Sequence, residues 1–237
     1  MNKSNSHSLN TSHRLRPQVF VLRVCRNEMK NNNYLVVDPA TKQAVVIDPA
    51  WQAGKLDDAL ALTRSTLKGV LLTHSHSDHV DLAPHMSEKY SCPIWMSSIE
   101  IAYSGFEAPK LAAISEHSWS VGKMLIEPIL TPGHTPGSVC YRIGHSVFSG
   151  DVLFPEGCGI CFDIESAYMM YDSLEKLKSI LKAEDRVYPG HTYLRQPGRE
   201  FSRISKENMY LQFPNKEMFA SYRLRPGQAK SSLLKFT

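Results

Sequence analysis

The chain has 237 residues, 42% of them hydrophobic and 21% charged, with a formal net charge of +4. That length builds one large domain with a substantial core, or two small ones, and the composition is that of an ordinary folded soluble protein. The lysines and arginines form no dense run, which argues against a nucleic-acid partner, and no stretch reaches the roughly 18 consecutive apolar residues of a membrane span.

Residues 1–17 are polar and lack the apolar core of a secretory signal. They read as a disordered arm, with too little apolar surface to offset ordering, and their His7 and His13 read as solvated side chains. Residues 18–24, 33–38 and 43–48 read as three strands of a β-meander, the last two joined by the turn Pro39-Ala40-Thr41. Residues 55–67 carry apolar side chains at helical spacing, ending near Gly69, and 70–73 form a short apolar run that stops at a histidine cluster. A helix with a kink at Pro84 is expected over 78–90, a strand over 93–96 and one short helix within 97–118. Residues 124–130, 139–143 and 146–149 read as a second meander. The best amphipathic helix spans 167–181, and the strand 186–188 runs straight into another histidine. After residue 193 the chain is basic and mixed, with helices expected near 199–210 and 215–222. It reads as a short helical extension, residues 194–237, packed on the catalytic domain 18–193. Cys25, Cys92, Cys140, Cys158 and Cys161 are odd in number and follow no signal peptide, as expected of reduced thiols in a cytoplasm. Two β-rich halves, each followed by helices, suggest a layered α/β sandwich.

Residues 73–79 read Thr-His-Ser-His-Ser-Asp-His, directly after a strand. Neutral imidazoles and carboxylates are ligands that Zn²⁺ accepts at about 2.0–2.2 Å. In the turn that must follow the strand, His74 and His76 can point to one side while Asp78 and His79 open the next helix. His134 sits between two Pro-Gly pairs in Thr131-Pro-Gly-His-Thr-Pro-Gly137, a loop stiff enough to place a ligand. Asp151 follows an apolar strand and a glycine, and His191 follows a strand and Pro189-Gly190. Four strand ends that all deliver His or Asp point to a metal centre.

At these residues the chain resembles the metallo-β-lactamase superfamily, whose signature is H-x-H-x-D-H, then a loop His, a bridging Asp and a final His. The resemblance covers about residues 18–193 and implies a four-layer αββα sandwich with two zinc ions. It implies one metal site of His74, His76 and His134, a second of Asp78, His79 and His191, and Asp151 bridging the two. Two dications lower the pKa of a shared water, so that a bridging hydroxide can attack a carbonyl carbon. Asp78 would orient that attack as well as bind metal.

Residues 150–159, Gly-Asp-Val-Leu-Phe-Pro-Glu-Gly-Cys-Gly, and His191-Thr-Tyr193 resemble the glyoxalase-II-like branch, which implies a thioester substrate. Cys158-Gly-Ile-Cys161 replaces the GCGR or GCGK run of that branch, and the tail after His191 is short for its glutathione-binding helices. Gly150–Cys161 and the run Glu207-Asn-Met-Tyr-Leu-Gln212 are most similar to small zinc hydrolases of trans-acyltransferase polyketide biosynthesis. That similarity implies acyl thioesters on an acyl carrier protein, or small acyl thioesters, as substrates. Arg195, Arg199, Arg203, Lys206, Arg223 and Arg225 read either as a basic surface for an acidic carrier or as a solvated helical face. Cys158, Tyr193, Arg195, Arg199 and Arg203 are the expected substrate contacts. Cys158 and Cys161 read as small residues lining a loop near Asp151, with a redox role the weaker alternative. Hydroxyacylglutathione hydrolase and a mono-iron persulfide dioxygenase are the competing readings. A β-lactamase fits less well, because Asp151 stands where β-lactamases often place Cys, and a scaffold without chemistry would have no use for a complete ligand set.

Overall fold

The computed structural model describes residues 16–226. The expected arm, apart from residues 16 and 17, and the last part of the expected C-terminal extension lie outside them.

The first meander forms as expected. Strands β1 (Gln18–Arg26), β2 (Met29–Val37) and β3 (Gln43–Ile47) pair antiparallel. β2 begins at Met29 rather than at residue 33, through a run of three asparagines that composition alone assigns to a loop. All three asparagines are buried, and each amide group makes at least one hydrogen bond across the fold, Asn31 and Asn32 as donors and Asn33 accepting from Ala50 N, which makes them tolerable inside a strand. Helix α1 (Ala53–Thr63) is shorter than its apolar spacing suggests. Arg64 turns left-handed at φ 50°, and strand β4 (Thr66–Leu71) already runs parallel to β3.

The single helix expected over 78–90 is two helices, α2 (Ser77–Val80) and α3 (Ala83–Tyr90). Pro84 lies in the first turn of α3, where its missing N–H costs nothing, so it starts a helix instead of kinking one. Strand β5 (Ile94–Ser97), helix α4 (Ser98–Ser104) and strand β6 (Leu111–Ile114) complete a first sheet in the order β1-β2-β3-β4-β5-β6.

The second sheet is built from β7 (Trp119–Val121), β8 (Met124–Leu130), β9 (Val139–Ile143) and β10 (Ser146–Gly150), each antiparallel to the next. A small hairpin of β11 (Leu153–Phe154) and β12 (Gly157–Cys158) precedes helix α5 (Ile164–Ile180). The first residue of α5 lies three positions before the expected start. Asp163 caps the helix and Ser166 closes a capping box, a signal that apolar periodicity does not carry. Strand β13 (Arg186–Pro189) then joins parallel to β10, and the short β14 (Arg199–Glu200) forms the edge, giving the order β14-β13-β10-β9-β8-β7. The helix expected over 199–210 therefore starts later, as α6 (Phe201–Glu207), followed by a 3-10 turn (Met209–Leu211) and α7 (Lys216–Arg223).

Side-chain alternation along the strands makes the layers. Tyr34, Val36, Val45, Ile47 and Leu71 of the first sheet meet Ile126, Val139, Tyr141 and Phe148 of the second in one inner core. The opposite faces are covered by α1 and α3 on the first sheet and by α5, α6 and α7 on the second. This is the four-layer αββα sandwich. Each large side chain fully buried in it contributes about 1.5–3 kcal/mol. Among the described residues no helix is long and apolar enough to cross a membrane.

Candidate metal centre

Loops leaving the C-terminal ends of β4, β8, β10 and β13 deliver the seven residues singled out in the sequence, and the fold brings all of them together. His74 and His76 lie in the loop after β4, and Asp78 and His79 in α2. His134 lies between β8 and β9, Asp151 follows β10, and His191 follows β13. His76 Nδ1 stands 3.0 Å from Nε2 of both His74 and His134. His79 Nε2 lies 3.4 Å and His191 Nε2 3.5 Å from Asp78 Oδ2. Asp151 sits between the two groups. Its Oδ2 is 3.2 Å from His191 Nε2 and 3.7 Å from His134 Nε2, and its Oδ1 is 3.6 Å from His79 Nε2. The ligand atoms of His74, His76 and His134 lie within 4.8 Å of one another, and so do those of Asp78, His79 and His191.

Two glycines allow this closeness. Gly150 takes φ +47°, and a Cβ there would lie 2.3 Å from Thr73 Oγ1. A Cβ on Gly190 would meet His79 Cε1 at 2.5 Å and Asp151 Oδ1 at 2.6 Å.

Behind the centre, buried partners fix the rings. His134 Nδ1 lies 3.1 Å from the Ile160 carbonyl and His191 Nδ1 3.1 Å from the Lys30 carbonyl, which places the N–H there and turns Nε2 inward. His79 Nδ1 lies 3.0 Å from Asp48 Oδ2, and Asp48 also accepts from Thr73 N at 2.8 Å and Thr73 Oγ1 at 2.6 Å. Asp48, His74 and His79 make a third group of adjacent ligand atoms. The Asp48 oxygens are occupied by Thr73 and by the outward nitrogen of His79, so Asp48 braces the imidazole from behind. Asn31 Nδ2 donates to Asp78 Oδ2 at 3.0 Å. Glu100 accepts from Ser75 and Thr135, one in each of two ligand loops.

Sequence reasoning missed Asp48, Asn31, Thr73 and Glu100. The available signal was polar residues inside or at the ends of otherwise apolar strands: Asp48 ends β3 at φ 48°, and Asn31 lies in β2.

Electrostatics sort the site into two halves. Burial pushes the pKa of His74 well down and lowers that of His134, so both imidazoles are neutral, the form that ligates a cation. Burial also disfavours charge on His79, but Asp151, Asp48 and Asp78 outweigh it and push that ring up to about 10. Burial opposes ionisation of Asp151 too, yet the neighbouring His191 and His79 hold its carboxyl well below the usual range. His79 Nε2 and Asp151 Oδ1 are buried side-chain atoms with no hydrogen-bond partner, facing one another at 3.6 Å. Buried polar atoms without partners are rare, and a cation between these two would satisfy both. The donor set, imidazole nitrogens and carboxylate oxygens, fits zinc.

The expected substrate contacts are scattered by comparison. Tyr193 is half-buried, with its ring edge-on to Phe154 at 5.0 Å and 6.2 Å from the His191 ring. Arg195 and Arg199 both pair with Glu207, and Arg203 points to solvent. Cys158 is only 8% exposed, inside the core beneath α5 and α7. Burial pushes its thiol up, and likewise pushes Cys161 up to about 11, so both remain protonated. Their loop does run beside Asp151, with Gly159 N donating to Val152 O at 3.2 Å. Arg223 is removed from the wider basic surface: it is 5% exposed, and its Nε donates to Gly159 O at 2.8 Å.

Residues 26–191 match the family model described as the metallo-beta-lactamase superfamily. Over 200 residues the chain is 38% identical to the probable polyketide biosynthesis zinc-dependent hydrolase PksB of Bacillus subtilis, covering 84% of this chain and 89% of that one. It is 34% identical over 182 residues to the hydroxyacylglutathione hydrolase of Pelagibacter ubique, covering 74% and 72%. The crystal structure of ETHE1 from Myxococcus xanthus superposes with a TM-score of 0.78 at 28% identity, covering 91% of this chain and 94% of that one. Matched in its sandwich and over most of its sequence, the chain belongs to the metallo-β-lactamase superfamily.

Proposed function

We propose that the protein is a two-zinc hydrolase of acyl thioesters, acting on acyl groups carried by an acyl carrier protein in polyketide biosynthesis. The observation that carries the metal reading is the pair of three-residue groups, His74, His76, His134 and Asp78, His79, His191, with Asp151 within reach of both. PksB at 38% identity and the hydroxyacylglutathione hydrolase of Pelagibacter ubique at 34% support hydrolysis, and PksB supports polyketide biosynthesis. Zinc held there supplies a Lewis acid for the thioester carbonyl and a water acidic enough to ionise near neutral pH.

The chain's own residues do the rest. Asp151 lies between the groups, with Oδ1 facing His79 and Oδ2 facing both His191 and His134, and so links the two. Asp78, oriented by Asn31, lies on the half-buried side of the centre with His76, where an acyl group can enter, and its carboxylate aligns the attacking water. Tyr193 and Phe154 form an aromatic wall beside His191. Arg203 and Lys206, both exposed on α6, present positive charge to an acidic carrier. The five cysteines are free thiols, in keeping with a reducing cytoplasm.

Relative kcat/KM values on three substrates test the reading. An acyl group on carrier protein should be cleaved fastest, a small acyl-cysteamine thioester next and S-lactoylglutathione slowest, by a protein holding two zinc ions. S-Lactoylglutathione as the best substrate would make the protein a hydroxyacylglutathione hydrolase. One iron per chain with no thioester turnover would favour a persulfide dioxygenase.

A further inference from the structure

Glu100 is a buried carboxylate set directly behind two of the ligand loops. It lies in the first turn of α4 and is 0% exposed. Its Oε1 accepts from Ser75 N at 2.9 Å and from Ser75 Oγ at 2.6 Å. Its Oε2 accepts from Thr135 Oγ1 at 2.7 Å and from Gly137 N at 3.0 Å. Ser75 lies between His74 and His76, and Thr135 follows His134. One carboxylate therefore grips both loops that supply the first three-histidine group, and its hydrogen bonds reach none of Asp78, His79 and His191. Helix α4 is itself pinned at this point: Ser97 Oγ accepts from Glu100 N at 3.0 Å and donates to Gly137 O at 2.6 Å.

The charge of Glu100 lies against the loops that carry the three imidazoles. Among the described residues no lysine, arginine or histidine forms an ion pair with it, and its four donors are neutral. A buried anion without a counter-charge costs several kcal/mol, and a neutral acceptor would join the same loops more cheaply. The three imidazoles next to it bring no negative charge to a bound dication, and the one carboxylate that reaches them, Asp151, is shared with the second group. We infer that Glu100 is a positioning residue for the first metal group: it presets the three imidazoles through Ser75 and Thr135, and its charge balances the cation they hold. The inference rests on the two-zinc reading.

The test measures zinc affinity of the full chain by chelator competition, in two backgrounds. His191→Ala leaves the first group as the tight site, and His134→Ala leaves the second. Glu100→Gln, which keeps the shape and removes the charge, should weaken zinc about tenfold to a hundredfold in the first background. In the second it should change affinity by less than about threefold, since Glu100 touches neither Asp78, His79 nor His191. Equal losses in both backgrounds, or none in either, would overturn the inference and leave Glu100 a structural tie. If Glu100→Gln does not fold, Thr135→Val removes one donor and keeps the carboxylate. Its zinc loss must then also be confined to the first group, and a lower melting temperature with unchanged zinc affinity would count against the inference. A wild-type chain that binds no zinc would instead sink the functional reading itself.

Discussion

Asp48 holds the strand end before the histidine cluster and an imidazole of the cluster at the same time. Its carboxylate accepts from Thr73 N and Oγ1 and lies 3.0 Å from His79 Nδ1. An amide cannot accept on both sides, so Asp48→Asn must turn its NH₂ toward Thr73 or toward His79. Zinc at the second group should weaken by about tenfold to a hundredfold, while the first group holds its ion. Chelator competition measures this, and unchanged affinity would show that Asp48 serves only the strand end. The seven inward-facing residues were legible because four of them crowd into residues 74–79 and the other three each follow a strand end marked by glycine or Pro-Gly, a repeated pattern of ligand residue types. Asp48, Asn31 and Glu100 were not legible. Each carries no ligand pattern in its own segment, and its meaning lies in a partner that only the tertiary fold supplies.

Among the elements, the turn between β2 and β3 is tied to the other sheet by one residue. Asp38 accepts from Ala40 N at 3.0 Å and Thr41 Oγ1 at 2.6 Å within its own turn, and from Lys123 N at 2.7 Å in the turn between β7 and β8. Burial by itself would raise its pKa, but the hydrogen bonds from Thr41, Lys123 and Ala40 outweigh that and lower it. A group with a depressed folded pKa stabilises above its unfolded value, about 3.9, and that contribution is lost as pH falls through the folded value. Asp38→Asn should cost about 1–3 kcal/mol at pH 7, and the gap to the wild type should close below about pH 3.9. Urea unfolding of the metal-free chain at both pH values checks this, and a gap independent of pH would refute it. The two meanders and the helix α5 were legible from period alone. The break between α2 and α3 was not, because Pro84 reads the same way as a kink or as a first turn until Leu82 N is seen bonding to Pro49 O. The strand β14 is two residues long and forms only because β13 offers it an edge.

At the scale of the molecule, the C-terminal segment completes the second sheet's outer core. Phe201, Ile204, Leu211, Phe219 and Ala220 are buried in one cluster with Val147 and Val187 of the sheet and Leu174 and Leu177 of α5. The Phe219 ring is fully buried, 5.7 Å from Tyr171 and 5.8 Å from both Tyr210 and Phe213. Phe219→Ala should cost about 3–5 kcal/mol and lower the melting temperature by about 10 °C. A melting temperature unchanged in a thermal scan would mean that the segment folds apart from the sandwich.

The centre draws on both halves of the sandwich: residues 74–79 leave the first sheet, and His134, Asp151 and His191 leave the second. During synthesis these pieces emerge from the ribosome far apart in time. The first sheet is complete once β6, ending at Ile114, has appeared, yet neither three-residue group can close then. The first waits for His134, after β7 and β8 of the second sheet, and the second for His191, after every strand of that sheet but β14. A group that draws its ligands from both sheets closes only when the two halves have found each other, so an ion bound there would report their docking.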